Sequence, residues 1–133
     1  MNIDEKTVRA IFGGLERGDG EAFFEHVANH VAWTVMGTHP LAGLYCSKVA
    51  FLAGTFEKLA KVLVGGTQLH VTNVVVADDV AVVELISNAL ARDGMRFDNH
   101  YCWVTRWDGQ TIVEVRAYLD SALEAELFRQ NPL

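Results

Sequence analysis

Residues 98–120 read DNHYCWVTRWDGQTIVEVRAYLD, and this stretch decides the fold. Apolar and polar side chains alternate on either side of Asp108-Gly109, the pattern of two antiparallel strands joined by a turn. The same period of two runs back to Thr67, with further turn signals at Asp78-Asp79 and Asp93-Gly94. Three turns and four strands make an antiparallel meander.

Ahead of Thr67 the period changes to that of helices. Val8, Ile11, Phe12 and Leu15 fall at helical spacing within residues 4–17, and Gly18-Asp19-Gly20 ends that segment. Phe23, Phe24 and Val27 mark a short second helix, and residues 31–36 a strand. The loop GTHPLAG (Gly37 to Gly43) follows, bracketed by glycines and stiffened by Pro40. Ser47 is placed to cap a third helix with the stripe Leu52, Phe56, Leu59 and Leu63, which Gly65-Gly66 stops. After the meander, Asp120 or Ser121 opens a last short helix, with Glu124 in capping-box position to Ser121. Helices first and strands afterwards predict one α+β domain over residues 1–133.

Tight two-residue turns fix which residues oppose one another across the strands. On that basis His70, Thr72, Val74, Val83, Leu85, Ser87, Asp98, His100, Cys102, Val104, Val113, Val115, Ala117 and Leu119 share the face that meets the helices. The other face takes Asn73, Glu84, Ile86, Asn88, Asn99, Tyr101, Trp103, Glu114, Arg116 and Tyr118. A single bulge in a bent sheet would swap the faces beyond it. The inner face is mostly apolar, with polar groups gathered at one end. His70, Ser87 and His100 form one row and Asp98 lies one row further, as converging polar groups do in a ligand pocket. Asp98 and His100 are the candidate acid–base pair, since burial raises a carboxylate's pKa into a usable range. Trp33, His39, His70, Leu85, Ser87, Cys102 and Ala117 are the candidate ligand contacts. Asp120 serves as a helix cap or as a pocket acid.

The outer face mixes aromatics with charge, which predicts a homodimer through Glu84, Tyr101, Trp103, Arg116 and Tyr118. The chain has 133 residues, half of them apolar, and a formal net charge of −6. That charge repels a phosphate backbone and an anionic membrane face alike, so neither nucleic acid nor membrane is expected as a partner. No segment nears the ~18 uninterrupted apolar residues of a spanning helix. Asp4, Glu5, Lys6 and Arg9 interrupt any apolar leader segment, so the expected location is the cytoplasm. Cys46 and Cys102 have no metal-type spacing and are expected to be buried free thiols. No cofactor is expected. His70 and His100, two strand spacings apart at ~10 Å, are too distant to share zinc without a third ligand.

The order of elements, with GTHPLAG, DNHYCW (Asp98 to Trp103) and DGQTIVEVRAYLD (Asp108 to Asp120), resembles the nuclear transport factor 2-like superfamily. The likeness points to its SnoaL-like and ketosteroid-isomerase-like branch. It implies a cone-shaped, cystatin-like fold: a strongly bent antiparallel sheet around about three helices, with a short C-terminal helix. It also implies an internal pocket for a small, largely apolar molecule, and dimers through the outer sheet face. The catalytic positions of ketosteroid isomerases fall on Thr34, Ile11 and Cys102, none of them a carboxylate. Those of epoxide hydrolases of this fold fall on Val83, Leu85 and Ala117. Their assisting tyrosine corresponds to Trp33, which can line a pocket and donate one hydrogen bond. The expectation is thus a binding pocket, with isomerase or cyclase chemistry on a small carbonyl compound as the alternative.

Overall fold

The computed structural model describes residues 2–133. Helix α1 (Glu5–Glu16) starts where the Asp4 carboxylate accepts from the Thr7 N–H at 2.7 Å, and it buries the predicted stripe. Helix α2 (Gly20–Phe24) follows at once. Strand β1 (Val27–Val35) begins earlier than predicted and takes Val27 from the second helix. Its pairing is irregular between Val27 and Ala32, which blurs the period of two there. Strand β2 (Gly43–Tyr45) folds back beside it.

The predicted third helix is two short ones, α3 (Lys48–Gly54) and α4 (Phe56–Val62). Thr55 breaks the helix at φ −131° and its hydroxyl donates to the Phe51 carbonyl at 2.7 Å. Gly54 just before it is required by packing, since a Cβ there would lie 2.4 Å from the Tyr45 ring. The chain then runs through β3 (Leu69–Ala77), β4 (Val80–Ser87), a small ribbon of β5 (Ala89–Leu90) with β6 (Arg96–Phe97), β7 (His100–Asp108) and β8 (Thr111–Leu119). Helix α5 (Ser121–Gln130) closes it. The six-stranded, strongly curved sheet has the order β2-β1-β8-β7-β4-β3, antiparallel except where β1 meets β8. The α+β class and the bent sheet around helices are as expected.

The strand faces differ from expectation, and the turns explain why. Ala91 N–H donates to the Met95 carbonyl at 2.8 Å, so the loop is the three residues Arg92-Asp93-Gly94, with Gly94 at φ +94°. A three-residue hairpin ending on a left-handed residue is the usual alternative to a two-residue turn. One extra loop residue turns every side chain of β7 over. Leu85 therefore faces Tyr101 and Val83 faces Trp103, and both aromatics lie inside. His100 is exposed, Cys102 is half-exposed, and Asp98, just ahead of β7, is exposed. In β3 the pairing skips Thr72 between Val71 and Asn73, a bulge that turns His70 outward and leaves Leu69 buried. The last turn is Gly109-Gln110, and a second bulge skips Val113. The bulge offsets the flip of β7, so Val115 and Ala117 face inward as predicted.

The core falls into two clusters. The larger lies between α1, α2, α3 and the sheet, centred on Phe12, Phe23, Trp33 and Trp103. The smaller joins α4, the ribbon and α5 through Leu59, Leu63, Phe97 and Leu127.

Candidate functional site

A cavity lies where the two clusters meet. Trp33, Val35, Trp103 and Ala117 come from the sheet, Phe51 and Phe56 from α3 and α4, Leu41 from the glycine-bracketed loop and Glu124 from α5. The cavity volume is about 40 Å³. That is several times the ~10–15 Å³ that a single water needs. The walls are aromatic: Trp33 stacks on Phe51 at 3.9 Å and meets Trp103 edge-on at 5.1 Å.

Three buried polar atoms of the lining residues have no hydrogen-bond partner: Trp33 Nε1, Thr67 Oγ1 and Glu124 Oε2. Buried polar atoms are normally paired, because an unpaired one costs about 1–3 kcal/mol. Glu124 is only 3% exposed, and burial pushes its carboxyl up to about 7. No lysine, arginine or histidine is among the lining residues to neutralise it. Burial, and then the nearby Glu124, raise the Tyr101 phenol as well.

A chain of hydrogen bonds holds α5, and so Glu124, over the cavity. The buried Ser87 hydroxyl donates to the Phe97 carbonyl and accepts from the Asn99 N–H, both at 2.8 Å. The side-chain Oδ1 of the fully buried Asn99 accepts from the N–H groups of His100 at 2.8 Å and Asp120 at 3.0 Å. Asp120 then caps α5 by accepting from the Leu123 N–H at 3.1 Å. Asp120 is therefore the helix cap. Glu124 does not form the predicted capping box with Ser121, since its side chain is buried against the cavity.

Of the predicted contacts, the structure brings Trp33 and Ala117 to the cavity wall. Leu85 is buried in the larger cluster. Ser87 is buried but committed to the Asn99 network. His39 is buried within its own loop, with Nε2 at 2.9 Å from the Met36 carbonyl and Nδ1 accepting from the Leu41 N–H at 3.2 Å. The placement of His70, Cys102, Asp98 and His100 on the inner face is corrected: the loop count and the bulge put them outside. Asp98 pairs with Arg96 at 2.7 Å, both about half exposed. Cys46 is also exposed, contrary to expectation. Among the described residues, no three His, Cys, Asp or Glu side chains cluster closely enough to hold a metal ion.

Sequence reasoning missed Glu124, Thr67, Tyr101 and Asn99. The signal for Glu124 was present: it shares helical spacing i, i+3, i+4 with Leu127 and Phe128, which places an acid on the buried stripe.

No protein-family model matches the chain. The nuclear transport factor 2-like protein of Burkholderia thailandensis superposes with a TM-score of 0.79 at 24% identity, covering 92% of this chain and 95% of that one. This is the nuclear transport factor 2-like, or cystatin-like, fold. TerC, co-crystallised with polyporic acid, shares the fold at a TM-score of 0.73 and 18% identity, over 93% of this chain and 96% of its own. By sequence, the chain is 30% identical over 124 residues to the dimerizing cyclase phiC of a fungal species. That match covers 90% of this chain and 54% of phiC, so the chain spans about half its length. Among the described residues, no helix is long and apolar enough to cross a membrane.

Proposed function

We propose that this nuclear transport factor 2-like domain binds a small, largely apolar molecule carrying a carbonyl group, in the cavity between its two clusters. The observation that carries this reading is the set of unpartnered buried atoms in an aromatic space: Trp33 Nε1, Thr67 Oγ1 and Glu124 Oε2. A ligand oxygen placed among them supplies the hydrogen bonds that no protein group makes to these atoms. The likeness to a cyclase and to a protein crystallised with polyporic acid supports a ligand of this kind. The test is a titration with 2-indanone, a planar bicyclic ketone, followed by tryptophan fluorescence. Saturable quenching that weakens at least tenfold in Trp33→Ala is expected. An unresponsive wild-type spectrum, with no heat of binding by calorimetry, contradicts the proposal.

The outer sheet face supports a homodimer within the same reading. Glu84, Arg116 and Tyr118 remain there, while Tyr101 and Trp103 do not. In their place the register sets Val104, Cys102 and Val82 outward beside Ile86, and leaves Val75 56% and Tyr118 44% exposed. Sedimentation at about twice the protomer mass, reduced to the protomer by Tyr118→Glu, is the expected outcome; a wild-type monomer at micromolar concentration contradicts it.

A further inference from the structure

We infer that Glu124 is the catalytic acid–base of this domain, moving a proton to and from a carbon beside the ligand's carbonyl. The inference rests on the pocket reading above and goes beyond it by naming the reacting residue.

The cavity supplies both partners that such a transfer needs. Glu124 Oε2 is buried, unpartnered and at the wall of an apolar space, so no salt bridge must break before it takes a proton. The C–H bond breaks as the new O–H bond forms. The electron pair moves into the C=C bond of an enolate, and the negative charge passes to the former carbonyl oxygen. Trp33 Nε1–H and Thr67 Oγ1–H, also unpartnered, are the donors available to that oxygen. The protonated Glu124 then returns its proton to carbon, and the carboxylate is restored with no other reactant consumed.

The carboxyl is tuned for this work. Its ordinary value of 4.5 is raised to about 7 by burial, which leaves both protonation states populated near neutrality. The other titratable group among the lining residues is Tyr101, whose phenol burial keeps protonated. On α5 itself, Asp120 is spent on the cap, and Glu126 pairs with Arg129 in solvent. Asn99 acts as a positioning residue, tying the start of α5 to that of β7.

The experiment follows loss of the α-proton signals of 2-indanone in D2O by proton NMR, with binding measured in parallel by fluorescence. Wild type is expected to exchange the protons at least 100-fold faster than buffer, a general base contributing ~10²–10⁴-fold. The rate should rise through a midpoint near 7. Glu124→Gln should lose that acceleration while still binding, Glu124→Asp should restore part of it, and Asp98→Asn and His100→Ala should match wild type. Binding without exchange above buffer overturns the assignment and leaves the pocket reading standing. Undiminished exchange in Glu124→Gln also overturns it. Failure of 2-indanone to bind overturns both.

Discussion

The ribbon rim and the floor of α5 each present a carboxylate, and the two could hardly differ more in surroundings. Asp98 at the rim is half-exposed and held by Arg96 at 2.7 Å, so its charge is solvated and paired. Glu124 on α5 is 3% exposed, with one oxygen unpartnered. The same functional group is inert surface in one place and a reactive buried acid in the other. What separates them is the loop at Arg92-Asp93-Gly94, whose third residue turned β7 over, and the buried stripe of α5, which carries an acid where leucine would pack.

The larger test of this contrast is stability against pH. Glu124 has a folded-state pKa of about 7, above its ordinary 4.5, so between those values the folded chain holds a proton that the unfolded chain has lost. Stability is full below pH 4.5, falls as pH rises toward 7, and stays reduced above it. The shift corresponds to a penalty on the order of 3 kcal/mol at pH 8. Glu124→Gln removes the ionisation, so urea denaturation should find it more stable than wild type at pH 8 by about that amount, and much less so at pH 4. Equal gains at both values would contradict the burial of a charge. In the same series Asp98→Asn should change stability by less than about 1 kcal/mol at either pH, as exposed ion pairs do. A loss of several kcal/mol would show that the rim is not the solvated surface described.

Much of the fold was legible because it depends on period and punctuation. The α1 stripe, a last helix opening at Asp120 or Ser121 and the four long strands all follow from spacing. The break at Thr55 was not, since Leu52, Phe56 and Leu59 keep helical spacing across it. The site was harder, because it depended on parity: Asp93-Gly94 is a good two-residue turn, and only hydrogen bonds distinguish it from the three-residue loop that forms. Trp33 and Ala117 reach the cavity wall because neither lies on β7, and the bulge at Val113 returns Ala117 to the inner face. Asp98 and His100 did not survive, because one residue of register separates the inside of the sheet from the outside. Glu124 was visible at its position in the sequence, but its spacing from Ser121 also fits a cap, and burial decided between the two roles.

The most direct test is the titration of the Glu124 carboxyl itself. Carbon-13 NMR of side-chain carboxyls, assigned by the resonance missing in Glu124→Gln, should give a midpoint near 7. A midpoint near 4.5, the ordinary glutamate value, would mean that Glu124 is solvated and that the acid assigned to this cavity is not there.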